Sequence, residues 1–450
     1  MEPGPLGCIA SPELLAAIAE RGDPEDRRAA LRTLAASAAL RAQRAAVARR
    51  LRDLGADRET ALGVSLRTGG RRTVYDVGHG GESDLPGKKV RGEGDPPVAD
   101  TAVNEAYDGA GLTYRFYKAA YDRDSIDGTG MELISSVHYG TDFDNAFWNG
   151  SQMVYGDGSG RIFVRGGLTK DVDVIAHELT HGVTQMTAGL AYSKQPGALN
   201  ESFSDVFGSL VKQHHLRQTA EVADWLIGAG VLGSALQGRA LRSMKAPGTA
   251  NDLDRQAGSM SGYADLPDDN DPKHDNGGVH INSGIPNRAF YLAATAIGGH
   301  AWEAAGRIWY MTLTERLEAT SDFRAAADAT IAVAGELFGA AGHERQAVAA
   351  AWKDVGVLYW RLDPGAAADE GVGGAGRRAG RRRPDDDRRF RGPRPRRRRR
   401  PAGQGRRGRL LRPPSRRRRS PGRAGPLRLR RHRRRRRPRP HRPPGRGRSS

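Results

Sequence analysis

The stretch that decides the fold is His177-Glu178-Leu179-Thr180-His181, in a chain of 450 residues. Four residues of an α-helix turn through about 400°, so the two histidines lie about 40° apart on one helix face. Two imidazoles so placed can bind one zinc ion. Glu178 sits about 100° round from His177, off the ligand axis but close enough to touch a water molecule on the metal.

The rest of this predicted helix supports a cavity on the histidine side. Its apolar residues cluster roughly opposite that face, which predicts that the helix packs into a core through them. They are Ile175, Leu179, Val183 and Met186.

A third metal ligand is available downstream, in the segment from Asn200 to Asp205. On a second helix, Glu201 and Asp205 lie about 40° apart, away from the apolar stripe that includes Phe203. Glu201 can complete a site of two histidines and one glutamate, and Asp205 can accept the other ring N–H of a ligating histidine. The alternative is that the His177–His181 spacing arises by chance and that the two histidines are a buried structural pair. The acid pair on the second helix argues against this alternative.

Asp275 and His280 form another candidate pair, in a glycine-bearing polar stretch. A lone histidine there would more often be structural. An acid five residues earlier raises the pKa of an imidazole, and a protonated imidazole can stabilise a developing oxyanion.

The surrounding pattern indicates strands before the motif and helices after it. Ser11 and Asp23 are expected N-caps of helices within residues 12–54, each followed by proline. Strand-like runs are Leu112 to Tyr117, Ile134 to Tyr139, Gln152 to Tyr155 and Arg161 to Val164. Helical periodicity marks residues 222–237, 285–299, 302–317, 321–338 and 343–355.

The charge divides the chain into two unlike parts. The formal charge is +20, but residues 371–450 hold 35 Arg and three acids, a net of +32. Residues 1–370 keep 37 basic and 49 acidic residues, a net of −12. The charge of this larger part of the chain therefore does not predict nucleic-acid binding. Cys8 is the one cysteine, which excludes an intrachain disulfide framework, and no apolar run is long enough to span a bilayer.

These residues resemble the thermolysin-like neutral metalloproteases, over about residues 72–362. The matching segments run in the family's order with near-family spacing. They are Asn145 to Gly150, His177 to Thr184, Ala188 to Tyr192, Gly197 to Glu201, Leu241 to Met244 and Asp275 to Ile285.

The resemblance implies an α+β, two-lobed gluzincin fold, with a sheet-rich N-terminal lobe and a helical C-terminal lobe around the cleft. It implies a zinc endopeptidase in which His177, His181 and Glu201 hold one Zn²⁺. Glu178 would activate the zinc-bound water as general base.

The resemblance also implies the remaining site roles. His280 and Tyr192 would stabilise the oxyanion, and Asp275 would orient His280. Asn145, the Ala146 backbone and Arg242 would bind the peptide substrate. Val174 and Leu241 would line an apolar pocket for the residue after the scissile bond, so cleavage is expected on the N-terminal side of bulky hydrophobic residues.

One departure from the family concerns calcium. The archetype of the family has an acid of a calcium site where Lys212 stands, and an ammonium there would replace a cation. The acidic run Asp265 to Asp271 could hold Ca²⁺, but we favour a solvated loop. Calcium is therefore possible without being assignable.

The N-terminal segment resembles the short precursor of protealysin-type members, which blocks the cleft until removal near Arg71–Val74. The expected domains are residues 1–71 as precursor, 72–220 as N-terminal catalytic lobe, 221–363 as helical lobe and 364–450 as disordered tail. Cys8 could reach the zinc as a thiolate and hold the enzyme latent, but a structural or free thiol is the reading we favour.

The tail admits two interpretations. Its Arg, Pro and Gly composition fits polyanion or nucleic-acid binding, or out-of-frame translation of a GC-rich gene, which we favour. Otherwise the expected partners are protein or peptide substrates, and the chain is expected to be monomeric. Residues 1–4 lack a secretory signal pattern, so export by another route is expected, with the cytoplasm as alternative.

Two other functions remain open at this point. An aminopeptidase with the same zinc ligands would need to recognise a free substrate N-terminus, against which the Asn145 and Arg242 segments argue. A basic binding protein on an inactive protease fold conflicts with the intact set of ligands, base and oxyanion donors.

Overall fold

The N-terminal segment forms one short strand and two helices that pack together. In the computed structural model, which describes residues 7–53 and 70–359, the segment comprises β1 (Gly7–Cys8), α1 (Pro12–Arg21) and α2 (Pro24–Asp53). The hydroxyl of Ser11 accepts from the Leu14 amide at 3.1 Å. Asp23 Oδ1 accepts from the amide of Glu25 at 2.8 Å. Both predicted N-caps are thus confirmed, since each satisfies a free amide of a first helical turn.

A six-stranded mixed sheet follows, to which β1 contributes an edge strand. The order is β1-β5-β6-β4-β2-β3. Strands β2, β4 and β6 run parallel, whereas β1 pairs antiparallel with β5, and β3 pairs antiparallel with β2. The remaining bounds are β2 (Arg72–Asp76), β3 (Lys88–Arg91), β4 (Leu133–Val137), β5 (Ala146–Trp148) and β6 (Met153–Tyr155).

Three long helices pack against one another. They are α3 (Thr101–Tyr121), α4 (Val172–Met186) and α5 (Lys194–Leu216). Helices α4 and α5 pack closely, and Gly208 of α5 permits it, because a Cβ there would lie 2.6 Å from the backbone oxygen of Asp173. The close approach lets side chains of α5 reach the ligand face of α4.

The described chain from Asp275 onward is mainly helical. Its helices are α6 (Asp275–Asn282), α7 (Gly284–Ile297), α8 (Ala304–Glu315), α9 (Phe323–Phe338) and α10 (His343–Asp354). A two-stranded ribbon, β7 (Leu226–Ile227) with β8 (Arg242–Ser243), lies before them in sequence. The predicted fold class, a sheet-bearing N-terminal lobe and a helical C-terminal lobe, is confirmed.

Three predicted elements are wrong. Leu112 to Tyr117 belongs to α3, whose buried aromatic residues face the core, so tertiary packing overrides local strand propensity. Arg161 to Val164 forms no strand, and Phe163 makes only an isolated bridge to Leu232. Residues 222–237 are not helical, because Trp225 and Gly228 adopt positive φ angles of 56° and 64°.

The predicted tail at 364–450 lies outside the described residues, and the predicted domain boundaries stay predictions. Within residues 7–53 and 70–359, no helix combines the length and apolar character needed to cross a membrane.

Candidate metal and catalytic site

Three buried side chains converge between α4 and α5. The Nε2 atoms of His177 and His181 lie 3.1 Å apart. Glu201 Oε2 is 3.5 Å from His177 Nε2, and Glu201 Oε1 is 3.6 Å from His181 Nε2. Ligand atoms at about 2.0–2.1 Å from one tetrahedral zinc ion are about 3.3–3.4 Å apart, so these residues fit zinc. Glu201 Oε2 is buried and has no hydrogen-bond donor in the described part of the chain, as suits a metal ligand.

The opposite ring nitrogens of both histidines are held by α5. His177 Nδ1 lies 2.9 Å from Asp205 Oδ1. His181 Nδ1 lies 2.8 Å from Asn200 Oδ1, and both acceptors leave the Nε2 atoms facing the metal position. Burial lowers the pKa of His181 to about 4, which favours the neutral imidazole that a metal requires.

Asp205 is the centre of a buried polar network. Arg242 donates two hydrogen bonds to the Asp205 carboxylate, from Nη2 to Oδ1 at 2.8 Å and from Nε to Oδ2 at 2.9 Å. Asn287 Nδ2 donates to Oδ2 at 2.8 Å. Burial by itself raises the pKa of Asp205, but the Arg242 and His177 charges more than offset this and hold the pKa well below its usual range. The carboxylate therefore stays ionised and anchors both His177 and Arg242.

Glu178 lies close enough to Glu201 to feel its charge but does not join the ligand group. Its Oε2 accepts from the Trp148 amide at 3.1 Å, and its buried Oε1 has no hydrogen-bond partner among the described residues. Burial first, and then the charge of Glu201, raise the pKa of Glu178 well above its ordinary value. An oxygen with no partner and a raised proton affinity can take up a proton from a nearby water.

His280 and Tyr192 lie together on the other side of the ligands. Tyr192 Oη is 3.2 Å from His280 Nε2 and also donates to Glu201 Oε1. Asp275 Oδ1 lies 2.6 Å from His280 Nδ1, and Asp275 Oδ2 accepts from the His280 amide at 2.7 Å. Burial lowers the pKa of His280, but the charges of Glu201 and Asp275 raise it overall to about 9. The residues predicted to donate to an oxyanion are thus adjacent.

The N-terminal segment lies in the cleft in the manner of an extended peptide. Ala10 N donates to Asn145 Oδ1 at 3.0 Å, and Asn145 Nδ2 donates to Ala10 O at 3.3 Å. Arg242 Nη1 donates to Ile9 O at 3.0 Å, and Ile9 N donates to Ala146 O at 3.3 Å. All three residues predicted to bind substrate backbone therefore contact this segment.

One predicted apolar wall of the cleft, Leu241, lies beside the segment. Ile9 is 1% exposed, and Ile9, Val174 and Leu241 all belong to the main buried core. Ile9 and Leu241 line the same small cavity. The arrangement provides an apolar environment for one side chain of a bound peptide.

Ion pairs fix the segment to the rest of the chain. Arg161 binds Asp23 and, at 2.7 Å, Asp26. Arg255 Nη1 lies 3.1 Å from Glu13 Oε1, and Lys273 pairs with Glu20. Acidic groups of the segment thus meet basic groups of the body.

The Cys8 thiol does not belong to the metal-ligating group. Among the described residues, that group comprises His177, His181 and Glu201. Cys8 Sγ instead lies 3.5 Å from Ala10 O and packs in a cluster with Leu40. This arrangement agrees with the structural interpretation of the thiol.

Several functional neighbours were not expected from the sequence. Asn200 and Asn287 hold His181 and Asp205 through their side-chain amides, and the Trp148 backbone amide holds Glu178. Asn200 directly precedes Glu201 in the sequence, so its position next to a candidate ligand could have indicated its role. Asn287 is 82 residues from Asp205, so only folding brings the two together.

The fold and the site together define a metallopeptidase with a His₂Glu centre. The family model described as "Thermolysin metallopeptidase, catalytic domain" matches residues 57–185, and "Thermolysin metallopeptidase, alpha-helical domain" matches residues 188–357. The chain belongs to the thermolysin metallopeptidase family and is a zinc metalloendopeptidase, a hydrolase of peptide bonds.

Individual proteins similar to this chain are also named as proteases. An extracellular metalloprotease of Pectobacterium carotovorum subsp. carotovorum is 52% identical over 64% of this chain and 81% of its own length. Protease PrtS of Photorhabdus sp. (strain Az29) is 47% identical over 64% of this chain and 76% of its own length. The solved precursor of protealysin, a metalloproteinase from Serratia proteamaculans, matches with a TM-score of 0.66 at 47% identity, covering 78% of this chain and 99% of that one.

Proposed function

We propose that this endopeptidase cleaves proteins on the N-terminal side of bulky hydrophobic residues. The observation that carries the proposal is the position of Ile9. Arg242 and Ala146 hold its backbone, and its buried side chain lines a small cavity together with Leu241. A substrate bound in the same direction would place the side chain that follows the scissile bond in this apolar environment. Burial of a large aliphatic side chain there contributes about 1.5–3 kcal/mol.

His177, His181 and Glu201 are proposed to hold one Zn²⁺, which when bound supplies a Lewis acid that polarises the substrate carbonyl and lowers the pKa of a water molecule. Glu178 takes a proton from that water and passes it to the leaving amine. His280 and Tyr192 donate hydrogen bonds to the carbonyl oxygen as negative charge develops there. Asp275 keeps the His280 ring in place, and Asp205 does the same for His177.

The N-terminal segment is proposed to act as a precursor that keeps the enzyme inactive, because it fills the place of substrate. The cut that removes this segment is expected within Arg71–Val74. Arg71 is the best candidate position, because it is exposed whereas Thr73 and Val74 are buried in β2. Residues 1–71, 72–220, 221–363 and 364–450 are proposed as the functional divisions of the chain.

Further proposals concern the setting of the enzyme. The extracellular relative from Pectobacterium supports secretion. The route of export, a monomeric state and polyanion binding through a genuine tail are proposed on the sequence alone. Bound Ca²⁺ is not proposed at Lys212, whose ammonium occupies that position.

The test begins with zinc content and the cleavage of an unfolded protein by processed enzyme. Glu178→Ala should retain zinc and lose about 10²–10⁴-fold in kcat. Undiminished cleavage with bound zinc would refute Glu178 as the base. End-group analysis separates the alternatives, since internal cuts before large apolar residues support the endopeptidase, and stepwise release of N-terminal residues would show an aminopeptidase.

A further inference from the structure

We propose that the enzyme hydrolyses its own Cys8–Ile9 peptide bond, releasing residues 1–8 while the rest of the N-terminal segment stays docked. The inference rests on the proposed function of the cleft. It concerns a bond far upstream of the expected processing window at Arg71–Val74.

The residues after this bond are held as a substrate would be. Ala10 makes two hydrogen bonds to the Asn145 side chain, at 3.0 and 3.3 Å. The Ile9 carbonyl accepts from Arg242 at 3.0 Å, and the Ile9 amide donates to Ala146 O at 3.3 Å. These four contacts fix the position and direction of the chain, so one bond is selected.

The carbonyl before the bond lies at the proposed reaction centre. Cys8 O is 3.2 Å from His280 Nε2. That nitrogen is itself 3.2 Å from Tyr192 Oη and 3.4 Å from Glu201 Oε1. The carbonyl oxygen of Cys8 therefore lies at the proposed oxyanion donors, close to Glu201. On the other side of the bond, the Ile9 nitrogen faces β5. The same strand holds Glu178 through the Trp148 amide. Such alignment of a bond between base and donors favours reaction.

The step is an ordinary hydrolysis, with water as the only co-reactant. The water oxygen bonds to the Cys8 carbonyl carbon, and the bond from that carbon to the Ile9 nitrogen breaks. Glu178 carries the proton from water to the departing nitrogen. The products are a carboxylate on Cys8 and an amino group on Ile9.

Cleavage would not open the cleft. Release of residues 1–8 removes the pairing of Gly7 with Trp148 and of Cys8 with Phe147. The contacts of Ile9 and Ala10 remain, as do the ion pairs of Glu13 with Arg255 and of Asp26 with Arg161. Self-cleavage at this bond and activation of the enzyme are therefore separate events.

The experiment follows zinc-supplemented full-length protein by intact mass and N-terminal sequencing. We expect a new N-terminus at Ile9, with a rate constant that does not change on dilution. In Glu178→Gln the rate should fall by about 10²–10⁴-fold. Glu178→Gln protein mixed with active protein should stay uncut at this bond, and a cut there would overturn the intramolecular step.

Ile9→Asp separates failure of the inference from failure of the proposed function. A carboxylate in the apolar environment of Ile9 should loosen the segment, prevent the cut at position 8 and raise hydrolysis of an added peptide. If Ile9→Asp hydrolyses the added peptide but the unmodified chain keeps residues 1–8 attached, self-cleavage is wrong and the proposed function stands. If neither processed enzyme nor any variant cleaves peptide, both are wrong.

Discussion

Lys212 Nζ lies 2.8 Å from Asp173 Oδ2, a buried ion pair that joins α5 to the first turn of α4. The ammonium also lies 3.0 Å from Asp224 Oδ1 and donates to Leu226 O at 2.5 Å. Burial lowers the pKa of Lys212, but the Asp173 and Asp224 carboxylates raise it overall, so the group remains a cation. One side chain thus neutralises a cluster of oxygen atoms that would otherwise repel one another.

Lys212→Met should destabilise the protein strongly. Asp173 is 1% exposed, and an unpaired buried carboxylate costs about 3–5 kcal/mol. Urea unfolding measures the change. Lys118→Met is the matched control, because its pair with Asp122 is exposed and its loss should change the free energy of unfolding far less. Equal losses in both variants would contradict a structural role for the Lys212 cation.

Added calcium should leave the Tm of the unmodified chain unchanged, since the oxygen cluster around Asp173 already holds a cation. Differential scanning calorimetry with zinc present and calcium varied gives the measurement. A calcium-dependent rise in Tm would show that another site, such as the acidic run from Asp265 to Asp271, binds the ion.

Asn200→Ala should weaken zinc binding without removing a ligand. The variant loses the acceptor 2.8 Å from His181 Nδ1, and loss of such a partner lowers metal affinity about 10–100-fold. Competition with a chromophoric chelator measures the affinity. Glu178→Gln serves as the control with unchanged ligands, and equal affinities in the two variants would count against the role of Asn200.

Arg161→Met should loosen the N-terminal segment. Its partly exposed side chain pairs with Asp23 and Asp26, so we expect the fraction of molecules with an open cleft to rise only modestly, by less than about tenfold. The readout is hydrolysis of a small peptide by unprocessed enzyme, which salt should enhance in the unmodified chain. Arg316→Met, which loses an exposed pair with Glu336 instead, should not change hydrolysis.

The stability of the fold should fall at alkaline pH because of His138. Its ring lies 2.7 Å from Asp157 Oδ1 and 2.8 Å from Asp100 Oδ2, with His79 also facing Asp157. Hydrogen bonding to Asp157 and then to Asp100 raises the pKa of His138 from 6.5 to about 9 despite partial burial. The native state therefore binds this proton more tightly than the unfolded chain does.

The stabilisation is fully present below pH 6.5 and is lost as the pH rises through about 9. We expect a loss on the order of 2 kcal/mol across that window. Urea unfolding at several pH values provides the slope, and His138→Gln should flatten it. An equal slope in the variant would assign the effect to other groups.

Apolar periodicity in the sequence correctly predicted the helices of the C-terminal lobe. The helices after residue 284 followed their apolar periodicity, because one face of each packs into the core. The predictions for residues 112–117 and 222–237 are wrong for two different reasons. Aromatic residues in α3 pack as a helix against α4 and α5, and positive φ angles at Trp225 and Gly228 exclude a helix that periodicity alone allows.

The sequence by itself determined that His177 and His181 share one face of α4 with Glu178 next to them, since spacing along one helix sets which side chains share a face. It also indicated Glu201 and Asp205 by the same argument on α5. Only the tertiary structure decided how these helices meet and what lies above them. The contacts of Arg242 and Asn287 with Asp205, and of residues 8–10 with Asn145 and His280, join distant parts of the chain. Such contacts depend on packing of whole elements, which no local pattern encodes.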